Sequence, residues 1–136
     1  MPKQYWLVKS EPDVYAFADL VRDENTVWDH VRNFQARNNL RAMKKNDEVL
    51  YYHSQTDKAV VGVAKVAREA YPEVTKDKGE WSVVELAPVR ALKSPVTLAQ
   101  IKAHAVLKSM ALVKQSRLSV MPVTKAEFDA LLKLGS

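Results

Sequence analysis

At 136 residues, 47% hydrophobic and 27% charged, the chain can build one packed core, whereas splitting it would leave two undersized ones. The absence of cysteine excludes a disulfide framework, a thiolate nucleophile and cysteine-ligated zinc. A formal net charge of +5 favours a polyanionic partner without requiring one. No apolar run approaches the ~20 residues that span a bilayer, and Met1 to Trp6 lacks the apolar core of a signal peptide. The expectation is a single domain over residues 1–136, cytoplasmic and with no membrane contact.

In chain order, Tyr5-Trp6-Leu7-Val8-Lys9 reads as a strand. After the turn-forming Ser10-Glu11-Pro12-Asp13, Val14, Phe17, Leu20 and Val21 recur at helical spacing. A second helix runs from about Phe34 to Met43, with Ala36, Leu40 and Met43 on one face, Arg37 and Arg41 on another, and Asn33 as its cap. Lys45-Asn46-Asp47 makes a turn, and Glu48 to His53 a strand. Val60 to Val66 and Trp81 to Leu92 are further β-rich runs, and Pro88 marks a bulge or an edge in the latter. Tyr71 to Glu80 reads as a loop. Thr97 with Gln100 and Thr124 with Glu127 form capping boxes, stapled by Val96 with Ile101 and Val123 with Phe128. They open helices at about 98–105 and 125–134, with Leu118 to Val123 as a strand between them. Strands outnumber long helices and the connections differ in length, which points to an α+β barrel rather than a doubly wound sheet.

Charge is unevenly spread. Trp28 to Lys45 holds Arg32, Arg37, Arg41, Lys44 and Lys45 against the single acid Asp29. Lys102 to Arg117 holds Lys102, Lys108, Lys114 and Arg117 with no acid. These are either two solvated faces or two phosphate-facing ones.

Little in the chain supports catalysis. His30, His53 and His104 show no metal-ligand spacing, and three glycines supply neither a phosphate-cradling loop nor a dinucleotide fingerprint, so neither metal nor cofactor is expected. His53 and Ser54 are neighbours on a strand and point to opposite faces, so they make no dyad. His53 is then either a packed, hydrogen-bonded strand histidine or a ligand contact.

Four segments carry a resemblance. Tyr5 to Pro12 (YWLVKSEP), Trp28 to Arg41 (WDHVRNFQARNNLR), Asp47 to Ser54 (DEVLYYHS) and Met110 to Val120 (MALVKQSRLSV) are together similar to the EVE domain family, in the same order. Two departures stand out: His30 and Asn46 occupy positions where the family pattern has glycine. Asn46 tolerates positive φ, so its turn survives.

The resemblance implies a PUA-like fold, a small mixed β-barrel ringed by short helices and related to the YTH readers of methylated adenine. It also implies a non-catalytic monomer that recognises a modified base in DNA or RNA. A base taken out of its stack needs a flat aromatic wall. Trp28, at the start of the basic segment, is the first choice for that wall, with core packing as its alternative; Trp6 and Trp81 lean to the core. The remaining pocket candidates are Lys9, Ser10, Asn33, His53, Gln115 and Ser116. Ser10 either contacts the base or caps a helix, and of the amides Asn33, Gln35 and Asn38 at least one caps backbone. Arg32, Arg37, Arg41, Lys114 and Arg117 would serve phosphates, positioning the strand without reading it. Trp28, Ser10, Asn33 and Gln115 are thus expected around one cavity. PUA-like barrels also include hydrolases of small modified nucleosides, in which Lys9 with Glu11 or Asp29 would do acid–base work. A protein–protein adaptor is a third reading, for which no exposed apolar stripe argues.

Overall fold

A computed structural model describes residues 3–136. The elements are β1 (Tyr5–Ser10), α1 (Pro12–Tyr15), α2 (Phe17–Asp23), β2 (Thr26–Trp28), α3 (Phe34–Ala42), β3 (Glu48–His53), β4 (Ala59–Pro72) and β5 (Ser82–Thr97). There follow α4 (Leu98–Ala103), a 3₁₀ turn (Leu107–Ser109), α5 (Ala111–Lys114), β6 (Val120–Val123) and α6 (Lys125–Gly135).

The strands form one mixed sheet of six, in the order β2-β5-β4-β3-β1-β6. β1 lies parallel to β3, with Leu7 opposite Leu50, and antiparallel to β6, with Leu7 opposite Met121. Flanked by β4 and β1, β3 is buried along nearly its whole length, from Val49 to His53. β4 and β5 form a long antiparallel ribbon whose register slips beside Pro88, so of the two expectations there, a bulge or an edge, the irregularity is the one found.

The fold is α+β as expected, but the sheet is not closed into a barrel. Among the described residues no ladder joins β2 to β6. Instead α3 packs against both β5 and β6, and Asn39 Nδ2 donates to the Val120 carbonyl (2.7 Å), so a helix spans the gap that closure would have filled.

The core includes Leu7, Leu20, Leu40, Met43, Leu50, Leu86, Ile101, Leu107, Met121 and Leu131. Both capping boxes form with their reciprocal bonds, and both hydrophobic staples are buried beneath them. The helical reading of Val14 to Val21 needs correction. Ala16, with ψ 161°, breaks the run into α1 and α2; Phe17 and Leu20 are buried, while Val14 and Val21 face outward. Phe17 enters the core through Gly62, where a Cβ would stand 2.5 Å from its ring. Trp6 is buried, and its indole N–H donates to Asp47 Oδ2 (3.0 Å). The same carboxylate accepts from the backbone N–H groups of Gln4 and Lys44, closing the turn in which Asn46 takes φ 75°.

Candidate nucleic-acid site

A cavity of about 500 Å³ opens where β1 ends beside β2. Its walls include Lys9 and Ser10 from the end of β1, Glu11 just before α1, Val14 and Tyr15 from α1, Thr26 to Trp28 from β2, and Asp29 to Arg32 beyond it.

Trp28 is half-buried. Its backbone pairs with Val84 on β5, and its indole meets the buried Tyr51 ring edge-on, with centroids 5.5 Å apart at 83°. Tyr15 is held by two donors on one carbonyl: Ser10 Oγ (2.8 Å) and the Tyr51 hydroxyl (2.7 Å) both donate to its oxygen. Ser10 therefore fastens the end of α1 rather than capping its start. The Tyr15 hydroxyl donates to Asp23 Oδ2 (2.9 Å). Burial holds the Tyr51 phenol above its ordinary pKa, so it is a permanent donor at neutral pH.

Lys9 stretches between two regions. It lines the cavity, and its Nζ donates to the Ser116 carbonyl (2.7 Å) beneath a second cleft. Partial burial lowers its pKa from the ordinary lysine value.

His30 takes φ 60°, a left-handed conformation that explains glycine in the family pattern. Its backbone N–H donates to Glu73 Oε1 (3.0 Å), while its side chain is exposed and 3.7 Å from Asp29.

Not every sequence-derived candidate reaches the cavity. Asn33 Oδ1 accepts from the Ala36 N–H (2.9 Å) as the cap of α3. Asn33, Gln115 and Ser116 line a separate polar cleft of about 350 Å³ with Gln35, Lys114, Arg117 and Leu118. The single cavity anticipated from sequence is thus two neighbouring clefts. His53 is buried and lines neither: its Nε2 accepts from the Phe17 N–H (3.0 Å), and its Nδ1 bonds Asp57 Oδ2 (2.8 Å). With both ring nitrogens engaged, it fixes the start of α2.

The arginines of α3 and its approach are also committed elsewhere. Arg32 grips Glu73 through both Nη atoms (2.6 and 3.2 Å) and Asp77 through Nε (3.0 Å). This pairing holds the Glu73 carboxyl below the usual carboxylate range. Arg37 donates to the Gly79 carbonyl, and Arg41 to Ser82 Oγ (2.9 Å) and the Glu80 carbonyl. Together they clamp the segment between β4 and β5 onto α3. Trp81 forms the floor of this clamp. Its ring stacks on Phe34 (5.2 Å, 15°), lies under Arg32, and donates its N–H to the Lys78 carbonyl (2.8 Å). Gly79, at φ 129°, is required here: a Cβ would come within 2.7 Å of the indole. Lys114 and Arg117 are exposed and, unlike these three arginines, make neither an ion pair nor a side-chain hydrogen bond among the described residues.

Residues 4–134 match the family model described as EVE domain. The chain belongs to the EVE domain family. It is 38% identical to mouse thymocyte nuclear protein 1, over 96% of this chain and 73% of that protein. Among solved structures it is similar to Rpa0253 from Rhodopseudomonas palustris, with 44% identity, TM-score 0.92 and coverage of 97% of this chain and 92% of that one. It is also similar to the human THYN1 protein crystallised in complex with DNA containing 5-methylcytosine. There the identity is 36% and the TM-score 0.89, over 98% of both chains.

Sequence reasoning missed several lining residues of this EVE domain: Val14, Tyr15, Thr26, Val27 and Asp29 as a wall residue. The clue was Pro12, which begins a one-turn helix that stops at Tyr15 and leaves Val14 exposed at the rim. Among the described residues no cluster of three or more His, Cys, Asp or Glu could hold a metal, and no helix is long and apolar enough to cross a membrane.

Proposed function

We propose that this EVE domain binds DNA non-catalytically and receives one modified base in the cavity walled by Trp28. The observation that carries this reading is the half-buried indole on the wall of a cavity large enough for a base, with polar groups of both kinds around it. An indole fixed from behind by Tyr51 is preorganised for stacking, worth ~1–3 kcal/mol per base. Asp29 and Glu11 can accept from an exocyclic amino group, whereas Lys9 and the backbone supply donors for a ring nitrogen or carbonyl. Val14 and Val27, exposed at the rim, offer apolar surface suited to a methyl group. The human relative's complex with 5-methylcytosine DNA supports the same class of ligand.

A hydrolase reading draws on Lys9, which shares the cavity with two carboxylates and has a lowered pKa. The bond from Lys9 to Ser116 argues against it, because an ammonium that holds a structural carbonyl is poorly placed to move a proton to substrate.

The test uses duplex and single-stranded DNA, and RNA, each with one 5-methylcytosine or one cytosine. Wild-type protein should retain methylated DNA preferentially and return it unchanged by mass spectrometry. Trp28→Ala should melt as a folded domain yet lose selective affinity by roughly 5- to 150-fold. Turnover of the base would establish the hydrolase. Undiminished discrimination in a folded Trp28→Ala variant would remove the indole from the site.

A further inference from the structure

The cleft beside the base cavity differs from it in charge. Asn33, Gln35, Lys114, Gln115, Ser116 and Arg117 line it, and no carboxylate does. The cavity walled by Trp28 contains Glu11 and Asp29; the cleft at Arg41 contains Glu73, Asp77 and Glu80; and the cleft at Lys44 contains Asp47. A phosphodiester entering any of those three would face an acid. In the fourth it would meet two cations with no ion-pair partner among the described residues, together with the amides of Gln35 and Gln115.

Position reinforces charge. Lys9 spans the two spaces, lining the base cavity while its Nζ rests on the Ser116 carbonyl. Ser119 lines the base cavity, and its carbonyl accepts from the Lys9 N–H (2.9 Å), so residues 115–119 border both. The three arginines of the other basic stretch, Arg32 before α3 and Arg37 and Arg41 within it, are turned onto the segment that leads from β4 into β5. Resting on the function proposed above, we infer that the turn from α5 to β6 is the phosphate seat of the bound strand. Lys114 and Arg117 hold one or two phosphodiesters next to the nucleotide whose base lies against Trp28. Gln115 and Ser116 thus belong to backbone positioning rather than to base readout.

The experiment compares wild type with K114Q/R117Q. Both positions are exposed, so the variant should melt like the parent, and melting is measured on the same samples. The probe is a duplex with a single 5-methylcytosine, titrated at several salt concentrations, alongside its unmethylated counterpart. The variant should bind both duplexes roughly tenfold or more weakly, leaving their affinity ratio unchanged. The slope of log affinity against log salt should flatten by about 1–2, at ~0.9 per phosphate released. Replacing the linkages beside the methylated nucleotide with uncharged methylphosphonates should weaken wild type and leave the variant nearly unaffected. Inorganic phosphate at matched ionic strength separates the sources: displacement of the duplex by free phosphate would mark a site for the small anion and overturn the strand assignment. A folded variant with unchanged affinity and slope would overturn this inference alone. Failure of wild type to bind either duplex would overturn the proposed function and this inference with it.

Discussion

Two basic stretches, near-equivalent in the sequence, have opposite fates in the fold. Arg32, Arg37 and Arg41 reach along the surface onto partners 39 to 45 residues further along the chain. Lys114 and Arg117 stand exposed beside a cleft without acids. A run of positive charge reports only that cations are present. Whether they are free depends on where the carboxylates and carbonyls of distant segments arrive. Here Glu73 and Asp77 arrive at Arg32 on the approach to α3, Gly79 and Glu80 arrive at α3 itself, and none of the four bonds a side chain of the turn from α5 to β6.

The sharpest way to break this contrast is to remove the floor of the clamp. Trp81→Ala deletes a buried ring stacked on Phe34 and should cost about 3–5 kcal/mol, lowering Tm by on the order of 10 °C. A variant that melts within a degree or two of wild type would show that the clamp contributes little. Arg37→Ala comes next, at about 1–2 kcal/mol of stability for a lost charge-assisted bond. Its DNA salt slope should match wild type, and a flattened slope would return Arg37 to the phosphate contacts.

Acid should loosen the clamp by a smaller amount. Arg32 depresses the Glu73 carboxyl in the folded state, so the folded pKa lies below the unfolded value of about 4.3. That sign means the contribution is present above about pH 4.3 and fades as pH falls through the depressed value. Melting of wild type and Glu73→Gln from about pH 6 down to about 3 should therefore converge at the acid end. Parallel curves would show that the ion pair contributes nothing. The smallest effect should come from Lys114→Gln, within about 0.5 kcal/mol of wild type in stability. A larger loss would mean that Lys114 has a structural partner after all.

Features set by neighbours in the chain were legible in advance. The capping boxes at Thr97 and Thr124, the Asn33 cap, the Asn46 turn and the slip beside Pro88 each depend on residues within a few positions. Trp28 could be placed at a cavity because resemblance supplied what periodicity could not. Long-range features stayed hidden. His53 could not reveal that Phe17 and Asp57 would take both of its nitrogens. Arg32 could not reveal Glu73, and no local signal indicated that α3 would occupy the gap between the sheet's ends. Asn33 and Gln115 did come together, but around the polar cleft rather than the Trp28 cavity, a distinction of side-chain direction that one-dimensional reading lacks.

The place of β1 in the sheet also bears on the order of folding. It sits between β3 and β6, pairing Tyr5 with Glu48 on one side and with Val123 on the other. During synthesis the β3 side can be satisfied early, whereas the β6 side waits until the ribosome has released residues around 123. Until then β1 presents an open row of backbone donors and acceptors, the feature that templates pairing between chains. A nascent chain stalled before Val120 should therefore be a target for chaperones, and one extended past α6 should release them.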